Sequence, residues 1–415
     1  MERKVIQVEE RPPLLLNIPL SIQHLFAMFG STVLQSERLQ VNPVSHFVVN
    51  GIGTLLYIFL TKGKIPSYLG SSFAFISPVL LILSTSGYAD AQSGFIVFGL
   101  LFMLFSIIIH YVGTSWIDII FPPAAMGAII AVIGLELAPV AANMAGLTGD
   151  NIQPVNIAVS MFTLAVGIIG SVAFRGFMSI IPILFGVICG YIFAAFMGMV
   201  NFQPIIDAPW LQLPHFYAPH FNLNAIMIIA PAALVVLAEH IGHLVVTGNI
   251  VERNLIKDPG LSRSLFADGL SNVVSGFAGA TPNTTYGENI GVMAITKVYS
   301  VWVIGGAAVM AILLSFIGKL SELIHSIPVP VMGGICILLF GVIAASGIRV
   351  LVEQKVDYSK SSNLIMTSVV MIIGLSGAKI SFGAFSVQGM VLATVVAIIM
   401  SLLFRVFEKL GLLNE

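Results

Sequence analysis

Apolar stretches of about 20 residues, the length that crosses a bilayer as a helix, recur along this chain with only short polar breaks between them. Fourteen can be placed, centred near Met28, Thr54, Ser77, Leu101, Ala131, Leu164, Val187, Val236, Val273, Ile290, Val309, Leu338, Val370 and Ile398. In lipid every backbone N–H and C=O must be paired inside the protein, and at this length only a helix does so within one segment. The expectation is an all-α polytopic membrane protein set in a lipid bilayer. Composition agrees: 57% of the 415 residues are hydrophobic and 9% are charged, against about 25% in soluble domains. The breaks leave no room for a separate soluble domain. A net charge of −1 points to neither an acidic nor a basic partner, and no nucleic acid is expected.

Basic residues set the orientation, because they concentrate on the cytoplasmic side. With the N-terminus inside and fourteen alternating spans, only Arg38, Lys319 and Lys379 of the 18 Lys and Arg residues fall outside. Both termini are therefore expected in the cytoplasm. The charged start, Met1 to Arg11, has no small-residue cleavage pattern, so no removable signal peptide is expected. Cys189 and Cys336 each sit in an apolar stretch, without metal-ligand spacing or a disulfide framework.

The chain repeats itself after seven spans. Gln23-His24 has a counterpart in Glu239-His240, Asn50-Gly51 in Asp268-Gly269, and Ser71-Ser72-Phe73-Ala74 in Thr284-Thr285-Tyr286-Gly287. Pro123, Gly127 and Gly134 match Pro330, Gly334 and Gly341. Seven is odd, so the second copy enters the membrane from the opposite side. That is a 7+7 inverted repeat, a mark of secondary transporters, whose sites form where interrupted spans of the two halves meet. Spans 3 and 10 contain Gly70-Ser71-Ser72 and Tyr286-Gly287-Glu288, poor helix at mid-membrane, and are expected to be broken by short extended segments.

Ionisable groups at that depth are functional candidates, since they are costly without a cavity or a partner. Glu239 and His243 are four apart and share a helix face, an arrangement suited to a proton relay or to half of a metal site. No third ligand follows from spacing, and no metal is expected. The alternative for both is an interhelical hydrogen bond. Glu288 follows a glycine at the start of a helix, where free N–H groups and the dipole favour a carboxylate, either as a cap or as a ligand. Gln23-His24 reads as glue between helices or as a substrate contact. The equivalent Asn50 and Asp268 read as helix caps, Glu136 as interfacial, Glu37-Arg38 as the outer mouth of span 1, and His215 and His220 as solvated loop.

Enzyme motifs are absent, with no GxSxG, HExxH, P-loop or CxxC array. Without a nucleotide-binding signature, transport must be passive or driven by an ion gradient.

The run Glu288-Asn289-Ile290-Gly291-Val292-Met293-Ala294-Ile295-Thr296-Lys297 resembles the signature of the nucleobase–ascorbate (nucleobase:cation symporter) family. That signature has an acidic or amide residue, Asn, any residue, Gly, four free positions, Thr, and a basic or small residue. Gln23-His24 resembles its second mark, and the similarity extends over nearly the whole chain. The resemblance implies core segments over 1–112 and 223–320, and gate segments over 113–222 and 321–415. It implies an elevator-type motion of core against gate, a homodimer through the gate, and a multi-pass place in the bacterial inner membrane. It further implies proton-coupled import of a nucleobase, uracil being the expected substrate, with the proton as coupling ion and no cofactor. By position, Glu239, Glu288, Phe73, Gly287, Tyr286 and Ser72 would bind substrate, and His243, Glu288 and Glu239 would couple the proton. Phe340 stands where uracil carriers have Tyr, and Glu37-Arg38 where close relatives are apolar.

Four other readings compete. Xanthine or another purine could replace uracil. An organic-anion carrier would need a positive site, yet no Lys or Arg lies mid-span. A channel would build rings of like side chains, whereas here the polar clusters sit in an internal repeat. A membrane enzyme lacks any nucleophile–base pattern.

Overall fold

A computed structural model describes residues 5–39, 41, 43–149, 152–175, 178, 182–214, 216–382 and 385–413. The first half forms α1 (Leu14–Arg38), α2 (Pro43–Leu60), α3 (Ile76–Leu83), α4 (Tyr88–Val112), α5 (Pro123–Glu136), α6 (Pro154–Ala173) and α7 (Pro182–Phe196). The second forms α8 (Ala232–Ile250), α9 (Leu261–Ala278), α10 (Gly287–Thr296), α11 (Val301–Ser315), α12 (Val329–Glu353), α13 (Ser361–Leu375) and α14 (Gly389–Lys409). Each expected span centre lies in one of these helices. Among the described residues, six stretches are long and apolar enough to cross a membrane: Tyr88–Val112, Pro123–Met144, Pro154–Ala173, Leu223–Ile250, Val329–Glu353 and Gly389–Lys409. The molecule is a mostly helical, multi-pass membrane protein.

Helix ends follow local chemistry. Proline stands in the first turn of α5, α6 and α12, where its missing N–H costs nothing and its φ is preset. Gly279 closes α9 in the left-handed conformation, φ 81°.

Two strand pairs interrupt the helices. β1 (Leu69–Ser71) pairs antiparallel with β2 (Asn283–Thr285), with Gly70 opposite Thr284. β3 (Lys379–Phe382) and β4 (Phe385–Gln388) form a hairpin before α14. A short 3-10 turn, Phe73–Phe75, joins β1 to α3.

Packing sorts the helices into two groups. In one, α4 lies along α9, α2 along α9 and α11, and α1 along α11. In the other, α5 packs on α12, α13 and α14, and α6 packs on α7 and α12. The groups meet where α8 touches α5 and α14 and where α10 touches α12. Small residues allow the close crossings, as in other helix contacts within lipid. A Cβ on Gly99 would meet the Gly269 carbonyl oxygen at 2.6 Å, and one on Gly134 the Phe340 carbonyl oxygen at 2.4 Å.

The N-terminal segment ties down one end of the first group. Ile6 bridges to Val298, Val301 N–H donates to the Val8 carbonyl at 2.9 Å, and Arg253 Nη2 donates to Glu9 Oε2 at 2.8 Å. The hydrogen bond from Arg253 holds the Glu9 carboxyl below its usual range. The side chains of Glu37 and Arg38, and all of His215, lie outside the described residues.

Candidate functional site

The β1–β2 pair decides where the polar groups go. Its strands are antiparallel, so the segments that follow them leave in opposite directions, with the starts of the Phe73 turn and α10 at the two ends of the pair. Ser72 N–H donates to the Pro282 carbonyl (2.9 Å) and Tyr286 N–H to the Tyr68 carbonyl (3.0 Å), extending the ladder by one bond at each end. Beyond those bonds, among the described residues, no acceptor meets the N–H of Phe73 or of Gly287. Two free donors at helix starts are a ready site for carbonyl oxygens or anions.

Across from them, α8 presents Glu239 and His243 on one face. Both are buried, as is Glu288 in the first turn of α10. Ser72 lies beside the Glu239 carboxyl group, and its hydroxyl oxygen accepts from Ala74 N–H at 3.3 Å. Glu239 lies near Glu288. His243 Nδ1 is 3.1 Å from Thr285 Oγ1. A Cβ on Gly287 would come within 3.2 Å of His243 Nε2, so glycine there lets α10 approach the imidazole.

The structure thus gathers Ser72, Phe73, Glu239, His243, Gly287 and Glu288, contributed by both halves of the chain. Phe73 closes one side, its ring edge-to-face with Phe340 at 5.3 Å between centroids. Tyr286 belongs elsewhere. Its ring lies on Gly70, where a Cβ would meet it at 2.3 Å. Its hydroxyl donates to the Ser71 carbonyl at 3.0 Å and is 3.3 Å from Thr32 Oγ1. Packed with Leu25, Met28 and Ile304, it braces the strand pair from behind.

The expectation that Asn50 and Asp268 cap helices is overturned. Asp268 lies inside α9, with Oδ2 2.9 Å from His240 Nδ1. His240 Nε2 is 2.7 Å from Ser264 Oγ, which is 2.6 Å from the Tyr57 hydroxyl. On the other side Asn272 Nδ2 is 3.1 Å from Asp268 Oδ1 and donates to the Asn283 carbonyl at 3.0 Å. The Asp268–His240 contact at ion-pair distance, with the hydrogen bonds on either side of it, fastens β2 to α2, α8 and α9. Asn50 is likewise within its helix, its Nδ2 3.5 Å from Thr32 Oγ1. Sequence reading gave His240 no task, although an imidazole and a carboxylate in neighbouring buried spans were a signal that they would pair.

His24 acts as glue. Asn289 Nδ2 donates to the His24 carbonyl (3.1 Å) and lies 3.0 Å from His24 Nδ1; an amide donor there places the imidazole proton on Nε2. Glu136 accepts from Met390 N–H at 2.9 Å and so caps α14. His220 is solvated as expected but leans on Asp90 at 2.6 Å.

Two openings reach this region. A cavity of about 230 Å³ is lined by Phe73, Pro78, Glu136, Pro231, Ala232 and Met390, among others. A narrower cleft runs from His243 and Gly287 past Gly291 to Ser346 and Arg349. Among the described residues no group of three or more His, Cys, Asp and Glu is placed to hold a metal ion.

Comparison with known proteins gives the context. A family model described as "Permease family" (Xan_ur_permease) matches residues 16–383. This chain belongs to that permease family. The permease is 62% identical to the uracil permease of Paenibacillus larvae, over 100% of both chains. It is also 62% identical to the uracil permease of Escherichia coli K12, over 99% of this chain and 96% of that one. Among solved structures, the transmembrane domain of a cyanobacterial bicarbonate transporter, BicA, superposes with a TM-score of 0.60 at 14% identity, covering 96% of the permease and all of that chain. Murine Solute Carrier 26 family member A9, an anion transporter, does so with a TM-score of 0.63 at 11% identity, covering 96% of the permease and 69% of that chain. At such identities the shared property is the fold. The permease is a transporter, not an enzyme.

Proposed function

We propose that this permease imports uracil across the bacterial inner membrane together with a proton. The observation that carries the reading is the facing of buried Glu239, beside Ser72, by the two unpaired N–H groups of Phe73 and Gly287. Uracil is planar and neutral, with ring N–H donors beside C=O acceptors. Glu239 would accept from a ring N–H, the two backbone groups would donate to the carbonyls, and Phe73 would cover a face. Charge-assisted bonds of this kind contribute about 1.5–3 kcal/mol each. Full-length similarity to uracil permeases supports the same substrate.

Proton coupling rests on His243, one turn beyond Glu239, and on the second carboxylate, Glu288. In this reading fourteen spans cross the membrane as two inverted sevens, β1 and β2 are the extended parts of spans 3 and 10, and both termini are cytoplasmic. The helix group of α1–α4 and α8–α11 is the core, and that of α5–α7 and α12–α14 is the gate. The core moves against the gate to expose the site alternately, and the gate forms the homodimer contact. A purine is the second reading, favoured by the roomy cavity beside Phe73.

The test is uptake of radiolabelled uracil into proteoliposomes, with an imposed pH gradient and unlabelled competitor bases. Uracil should outcompete xanthine and adenine, and accumulation should require the gradient. Uptake displaced best by a purine would move the substrate to the second reading.

A further inference from the structure

The narrow cleft that begins at His243 and Gly287 ends on α12, at Ser346 and Arg349. These two are three residues apart and share a helix face. Their hydrogen-bonding capacities are already divided. The Ser346 hydroxyl donates to the Val342 carbonyl at 2.9 Å, which leaves its oxygen as an acceptor only. Arg349 Nε donates to Glu353 Oε1 at 2.6 Å, and among the described residues neither of its Nη groups meets an acceptor. Guanidinium has no acceptor of its own, so the free part of Arg349 is a donor fork. Asn249 of α8 steadies the same Glu353, with Nδ2 3.4 Å from Oε2.

We propose that Ser346 and Arg349 form a second, weaker subsite for the transported base, a station on the path between the candidate site and the side of the membrane where α12 ends. The chemistry it recognises is an imide edge, an N–H beside a C=O: Ser346 Oγ accepts from the N–H and an Arg349 Nη donates to the carbonyl. Glu353 is a positioning residue that holds the guanidinium against the cleft. The station rests on the reading of the permease as a carrier of a pyrimidine dione. It adds that the path itself, beyond the deep site, selects for that edge. A transient subsite speeds passage in both directions and leaves the affinity of the deep site alone.

The experiment compares wild type, S346A, R349Q and R349K as full-length protein. Equilibrium uracil binding is measured in detergent, and uracil efflux and homoexchange are measured from loaded proteoliposomes. Binding should stay within about twofold of wild type in all variants, since the deep site is intact. Efflux and exchange should slow about fivefold in S346A and in R349Q, where release governs turnover, with R349K closer to R349Q than to wild type because the fork is lost. If S346A transports at the wild-type rate, the pair does not read the base and Arg349 serves only to hold Glu353. If transport and binding fall together, the residues shape the deep site and the station is wrong. Absence of uracil binding by the wild type would instead overturn the proposed substrate, which separates the two failures.

Discussion

In the proposed site Glu239 is the central residue, a buried acceptor beside Ser72. An amide in its place keeps the shape but loses the charge and turns a donor toward the ring. Glu239→Gln should weaken equilibrium uracil binding roughly 10- to 150-fold, the equivalent of one charge-assisted bond. Near-wild-type binding by the folded variant would remove Glu239 from the site. His243 has a different task. Its Nδ1 is occupied with Thr285, and its Nε2 faces the start of α10. His243→Ala should leave binding within about tenfold while accumulation driven by a pH gradient fails and exchange of internal for external uracil persists. Normal accumulation would reduce His243 to a hydrogen bond between helices. Both residues were legible in the sequence, since charge inside an apolar stretch needs a reason. The commitment of Tyr286 was not: the Gly70 face that receives its ring lies over 200 residues away in the chain.

At the scale of elements, the β1–β2 pair is the part that period and composition identified least well. Glycine and serine runs announced broken helix, but three-residue strands carry no alternation to read, and their pairing is a tertiary fact. The longer helices were the easier part, because length and apolar content alone specify six spanning stretches among the described residues. The strand pair depends on the flat contact between Gly70 and the Tyr286 ring. Gly70→Ala puts a methyl group 2.3 Å from a ring carbon, so Tyr286 must leave its bonds to Ser71 and Thr32. Overpacking of this kind costs about 1–3 kcal/mol. We expect a lower melting temperature and loss of uracil binding together, measured by thermal unfolding in detergent and by scintillation proximity. Unchanged binding at lowered stability would show that the pair supports the fold without shaping the site.

For the whole molecule, the two helix groups touch along α8 and along α10, and the Asn249–Glu353 contact joins them at one end. If transport moves one group against the other, freezing that contact must stop it. In a variant with Cys189 and Cys336 replaced by alanine, cysteines at Asn249 and Glu353 should crosslink under oxidation. Uptake should then fall by more than about tenfold, return on reduction, and leave binding within about twofold. Full-speed uptake by the crosslinked protein would rule out relative motion at this boundary. The spans were legible as apolar stretches, but the sorting of helices into groups follows from glycine-lined crossings such as Gly99–Gly269, which no local pattern reports. The strand pair also has a consequence for biosynthesis. Chains grow from the N-terminus, and the Ser71 carbonyl waits for a phenol 215 residues downstream. Until the second half of the chain is made, β1 lacks the strand that pairs its backbone groups, and any left open in hydrocarbon would cost several kcal/mol each. The first half of the chain is thus incomplete on its own, because the strand pair and the brace at Ser71 form only once residues more than 200 positions later have been made.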